Sequence, residues 1–172
     1  MDTISLILHV TAAAALFGPQ ILLFFALTPA TWFIDDEQLK RNVVSTVARR
    51  FGVLSAASIL ILIITGLYQM QALTPEGASE LKWGSIFMIK MVLFVLLMGL
   101  MLIHTQYFGK KIRSMSDLVI EGAIETSGDL DYLRRQSWAF SFLMLVVTMI
   151  LLWLGVMLGC LLYTSPSPRD RG

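Results

Sequence analysis

The chain has 172 residues, of which 56% are apolar and 15% charged, with a formal net charge of +1 at pH 7. That balance is far from a soluble domain and close to a protein whose solvent is the lipid bilayer. Apart from Lys90, and Arg169 and Arg171 in the C-terminal tail, the Lys and Arg residues fall in links between apolar stretches, not in one basic patch, which argues against nucleic-acid binding.

A hydrocarbon core of about 30 Å needs roughly 20 apolar residues per helical crossing. Four stretches qualify: 4–28, 51–73, 84–106 and 138–160. The first, containing LILHVTAAAALFGPQILLFF, carries His9 and Gln20 and is interrupted by Gly18-Pro19. It lacks a basic leader, Asp2 being the only early charge, and its apolar run is too long for a cleavable signal, so it is expected to remain as a helix. Pro19 removes a helical hydrogen bond and should kink the helix, freeing the carbonyl of Ala15, while the small residues Ala12 to Ala15 permit close helix packing.

The first link opens with TPATW, where Pro29 discourages further helix. DDEQLKRNVVSTVARRF then reads as an interfacial helix running into the second span. The second link, TPEGASELKW, predicts a turn at Pro75-Glu76-Gly77 and an interfacial anchor at Trp83. The third span carries Lys90 and His104. After it, Leu118, Ile120 and Ile124 at helical spacing predict an amphipathic surface segment broken at Thr126-Ser127-Gly128. Cys160 is the only cysteine, so an intrachain disulfide and a CxxC metal site are both impossible. The ending CLLYTSPSPRD resembles the translation of a sequencing adapter, and residues 160–172 are set aside as a non-native tail.

Lys40, Arg41, Arg49 and Arg50 occupy the first link, Lys110, Lys111, Arg113, Arg134 and Arg135 the third, and only Lys82 the second. The positive-inside rule therefore places the first and third links in the cytoplasm and both termini outside. The expected fold is an all-α membrane protein: one domain over 1–159, an antiparallel four-helix transmembrane bundle running up-down-up-down.

Ionisable groups inside membrane spans are costly, so the residues to weigh for chemistry are His9, Lys90 and His104, with Gln20 as a polar companion. At 1.5 Å per residue His9 lies about 8 Å into the core from the outer side and Lys90 about 9 Å, so the two share a level. His104, fourteen residues past Lys90, is about 21 Å deeper but only about 40° away around the helix. Gln20 is about 20° from His9 by the same arithmetic. Two imidazoles on one iron need nitrogens about 4 Å apart, so His9 and His104 do not bridge a single haem. The competing structural readings are a Lys90 that snorkels to outer headgroups, a His9 that meets interfacial water, and a His104 bonded to a neighbouring helix. Met70, Met88, Met91 and Met157 lie in the outer third of their spans, and thioethers with imidazole suit copper(I), giving the candidate metal set His9, Met70, Met88 and Met91. Methionine abundance elsewhere, as at Met98 and Met144, reads as flexible core filler. No Ser/His/Asp set, paired intramembrane carboxylates or glycine-rich phosphate loop is present, so hydrolytic and phosphoryl-transfer chemistry has no visible machinery.

LHVTAAAALFGPQILLFFALTPA resembles the first helix of copper resistance protein D (CopD)-like membrane proteins; RRFGVLSAASILILIITGLYQ is similar to their second and GSIFMIKMVLFVLLMGL to their third, over about 1–108. The resemblance implies copper handling or membrane redox chemistry, with His9 as a metal or haem ligand near the periplasmic side and Lys90 as a propionate partner or second ligand. The third helix is also similar to that of the HemJ-type haem-binding protoporphyrinogen oxidases, where haem b would engage the pair His9 and Lys90. FFALTPATWF stands where that family has an arginine and a second histidine, and the spacing from Lys90 to His104 is longer than that family's pattern. The expectations are thus a site of His9, Lys90, His104 and Gln20 for haem b or copper, with an oxidase or a cofactor-free scaffold as rivals. The expected partners are the lipid bilayer, a haem or copper ion and a second copy of the chain.

Overall fold

The computed structural model describes residues 3–73, 82–122 and 128–164. The turn expected at Pro75-Glu76-Gly77, the break expected at Thr126-Ser127, the Trp83 side chain and the end of the adapter-like tail lie outside the described residues. Four helices account for almost everything else: α1 (Thr3–Thr31), α2 (Glu37–Leu73), α3 (Gly84–Ile120) and α4 (Gly128–Thr164). Each is long and apolar enough to cross a membrane.

The uninterrupted apolar run makes α1 regular as far as Leu22, with Pro19 accommodated inside it. The departure from α geometry comes later than expected, as a π turn over Leu23–Leu27. Pro29 does not end the helix, which continues over Thr28–Thr31. The reason is local: the wider π turn loosens the backbone that a proline ring would otherwise strike, and Thr28 satisfies the Leu23 carbonyl with both its N–H and, at 2.8 Å, its hydroxyl. The chain then turns and Asp36 caps α2, its Oδ1 accepting the N–H groups of Gln38 (2.9 Å) and Leu39 (3.2 Å).

At 37 residues α2 is about 55 Å long, nearly twice the hydrocarbon thickness, so the expected interfacial helix and the second span form one rod. In the same way α3 does not stop near 106: a π turn over His104–Gly109 leads into the amphipathic stretch Lys110–Ile120. The helix of α4 begins at Gly128, ten residues before the apolar span. These three extensions are tied together at the end of the bundle opposite the termini. Glu37 on α2 accepts hydrogen bonds from Ser116 of α3 (2.8 Å) and from Arg134 of α4, and Arg41 pairs with Asp117. Leu130 and Leu133 are buried in the same extension of α4.

Within the spans, α1 packs along α2 and α3 along α4 as two antiparallel hairpins, and α1 joins them by touching α4. Register follows a simple rule. Facing residues sum to 74 across α1 and α2, as in Ser5 with Gln69 and His9 with Thr65. Across α3 and α4 they sum to 245, as in Lys90 with Gly155 and His104 with Ser141. The core sits at mid-height, where Leu16, Leu97, Val147 and Leu151 meet partly buried Ile59, Leu62 and Phe94. Large apolar side chains such as Ile64, Val92, Val95 and Trp153 point outward, as expected when lipid replaces water.

Candidate functional site

His9 lies two turns inside the start of α1, and its position is set by α2. Nδ1 of the imidazole is 2.7 Å from the Thr65 hydroxyl. Thr65 has one proton, and its Oγ1 lies 2.6 Å from the carbonyl oxygen of Ile61, one turn back along α2. With that proton committed, the hydroxyl accepts from Nδ1–H, and Nε2 keeps its lone pair. This is the arrangement in which an imidazole serves as a ligand: one nitrogen held by a second group, the other free to donate electrons. The ring lies over the adjacent Gly66, where a Cβ would make an ordinary contact 3.7 Å from Cε1. One turn further out, the Gln69 amide donates to the Ser5 carbonyl at 3.3 Å, so two polar pairs fasten α1 to α2 at this end.

Lys90 comes to the same level on the other hairpin. Its ammonium reaches across to α4 at Gly155, where a Cβ would be 3.6 Å from Nζ, and it lies within electrostatic reach of His9. Each polar side chain thus rests over a glycine of a neighbouring helix. None of the ion pairs among the described residues involves Lys90, and the four apolar spans contain no Asp or Glu at all. Among the described residues a cation so placed has no anionic counterpart.

His104 shares the α4-facing side of α3 with Lys90, as their spacing predicts, but its surroundings differ. Nε2 is 3.1 Å from both Ser137 Oγ and Ser141 Oγ. Ser141 gives its proton to the Ser137 carbonyl (2.9 Å), so Nε2 carries the hydrogen that joins them. The ring stacks on Phe140 and leans on Phe108, with centroids 6.0 and 5.9 Å away. These contacts hold α3 against α4 where the π turn begins. Gln20 is half-buried and its Oε1 is enclosed with no hydrogen-bond partner. Of the methionines, Met88 is 61% exposed and faces outward, Met70 and Met91 are each 38% exposed, and Met157 is half-buried. Among the described residues no three His, Cys, Asp or Glu side chains gather as a metal cluster.

The structure thus leaves His9 and Lys90 within electrostatic reach of each other, each packed on its own partner helix, and keeps His104 in a separate hydroxyl and aromatic environment. Sequence reading overlooked Thr65, Gly66 and Gly155, which shape the site, and Ser137 and Ser141, which hold His104. The legible signal was antiparallel register: once His9 is matched to α2 at its own depth, Thr65-Gly66 is the dipeptide it meets.

The fold and the polar groups within it define a multi-pass, all-α membrane protein built as a four-helix bundle. No family model, no curated protein and no solved structure matches the chain.

Proposed function

We propose that this is a haem-binding protein of the bacterial inner membrane that acts in membrane redox chemistry, in which His9, near the periplasmic face, would bind the iron and Lys90 would pair with a propionate. The observation that carries the reading is an imidazole with a free Nε2 within electrostatic reach of an ammonium that no carboxylate among the described residues pairs. A ligand that satisfies both must offer an electron-pair acceptor and an anion on one apolar body, and a haem does so. Bound haem supplies one-electron redox chemistry. The chain's own part is to hold the Nδ1 hydrogen on Thr65, to present Nε2, and to place a positive charge where a carboxylate enters the membrane. A bare copper ion fits less well, because the Lys90 ammonium repels a cation and Met88 turns away from the interior. The oxidase reading would share the same ligands, with the porphyrin chemistry as an added activity.

An absorption spectrum and metal analysis of detergent-purified protein, expressed with haem and copper supplied, test the proposal. A Soret band that disappears in His9→Ala is expected. Stoichiometric copper without Soret absorption would replace the haem reading with copper handling, and the absence of both would leave a scaffold.

A further inference from the structure

The basic residues at the end opposite the termini divide into two sets. Lys40, Arg41 and Arg134 are paired with Glu37, Asp117 and Asp131. Arg49, Arg50, Lys110, Lys111, Arg113 and Arg135 are all exposed, and none forms an ion pair among the described residues. The two sets also differ in height. Arg49 is twelve residues nearer the apolar span than Glu37, about 18 Å along α2; Lys110 is seven residues nearer than Asp117, about 10 Å along α3; Arg135 is four nearer than Asp131, about 6 Å along α4. Acidic residues therefore stand toward the far tip, where they consume the cations beside them, and among the described residues the level of Arg49, Arg50, Lys110, Lys111 and Arg135, adjoining the apolar spans, is purely cationic, with Arg113 at its outer edge near the level of Asp131. Three helices contribute to it, so it forms a belt and not a patch on one face. Lys111 is steadied there by Tyr107, with Nζ 3.5 Å from the hydroxyl and 5.4 Å from the ring centre. Exposed aromatic groups lie at the same end: Trp138, stacked on Phe24, and Trp32 and Phe33 at the close of α1.

We infer that this belt binds the phosphodiester headgroups of anionic phospholipids and so anchors the bundle in a leaflet rich in them. The headgroup layer is where a cation just beyond a span meets phosphate, and attraction to anionic lipid there adds up over neighbouring Lys and Arg residues. Flexible exposed cations at the edge of lipid-facing helices suit a mobile headgroup better than a folded protein partner, which would need a shaped surface. The belt is remote from His9 and Lys90 and does not depend on what they bind.

The test uses the full chain purified in a neutral detergent, with dioleoylphosphatidylglycerol and dioleoylphosphatidylcholine titrated separately while thermal unfolding is followed by tryptophan fluorescence. Half-maximal stabilisation is expected at a concentration at least fivefold lower for the glycerol lipid, and 0.5 M NaCl should bring the two lipids within twofold. The variant Arg49→Gln/Arg50→Gln/Lys110→Gln/Lys111→Gln should lose the preference in low salt. Should that variant fail to fold, the salt arm on the unaltered chain and Arg135→Gln with Arg113→Gln, expected to lower the preference about twofold, carry the test. Equal response to both lipids in low salt overturns the inference. So does competition by millimolar inorganic phosphate, which would point to a soluble anion, or a preference that persists in the quadruple variant.

Discussion

Thr65 accepts the Nδ1 hydrogen of His9 because its own hydroxyl proton is spent on the Ile61 carbonyl. The bond fixes both the orientation of the ring and the nitrogen left free. Thr65→Val, which keeps the shape and removes the oxygen, should weaken haem affinity about 10- to 100-fold, as loss of a ligand-orienting partner generally does. Thr65→Ser should stay close to the parent. Haem titrations followed at the Soret maximum measure both; equal affinity in Thr65→Val and the parent would show that the hydroxyl positions nothing.

The two glycines under the polar side chains are expected to tolerate a methyl group but no more. A Cβ at Gly66 or Gly155 sits at ordinary van der Waals distance from His9 and Lys90, so Gly→Ala at either position should leave the fold intact. Leucine at 155 fills the space that the Lys90 ammonium occupies, and overpacking of this kind costs about 1–3 kcal/mol. Gly155→Leu should therefore lower Tm and haem affinity together, and a variant that binds haem normally would place Lys90 elsewhere.

His104 stands in different surroundings. Its Nε2 already joins two serines and its ring is stacked on Phe140, so its role is to dock α3 on α4. His104→Ala is expected to destabilise the bundle by about 1–3 kcal/mol through unpaired hydroxyls and lost packing, while haem affinity stays within about twofold of the parent. Detergent unfolding and the Soret titration, run on the same preparation, separate the two effects. Loss of the Soret band in His104→Ala with a normal unfolding curve would make it a ligand.

Much of this architecture was legible in the sequence because bilayer thickness and helical rise leave little freedom: four apolar runs make four long helices, packed as an all-α bundle. What was not legible depended on neighbours. Pro29 reads as a stop until the π turn before it and the Thr28 hydroxyl are known. The third span reads as ending near 106, since polarity rises there, yet Ser116 and Asp117 find partners on α2 and the helix is worth continuing. His104 is indistinguishable from His9 by composition; only the facing residues, two serines and Phe140 on α4 against one committed threonine on α2, separate their surroundings.

The tie between the extensions gives a prediction distant from the site. Glu37 accepts from a serine that is 2% exposed and from Arg134, so Glu37→Ala strands the buried hydroxyl and leaves Arg134 only its longer contact with Asp131. A cost of about 1–3 kcal/mol follows, or about 2–4 °C of Tm for each kcal/mol in a chain of this size. Glu37→Gln, which still accepts from Ser116, should lose less. Haem binding should be unaffected in both, as the spans intervene, and thermal unfolding beside the Soret titration checks this.

Lys90 is the residue on which the account of the site turns, and haem dimethyl ester tests it most directly, because esterification removes the propionate charges and leaves the iron and macrocycle unchanged. Competitive titration should show haem bound at least tenfold more tightly than its dimethyl ester by the parent protein. That preference should vanish in Lys90→Met while His9 ligation, read from the shape of the Soret band, persists. Equal affinity for the two porphyrins in the parent, or a preference that survives Lys90→Met, would contradict a shared site for His9 and Lys90.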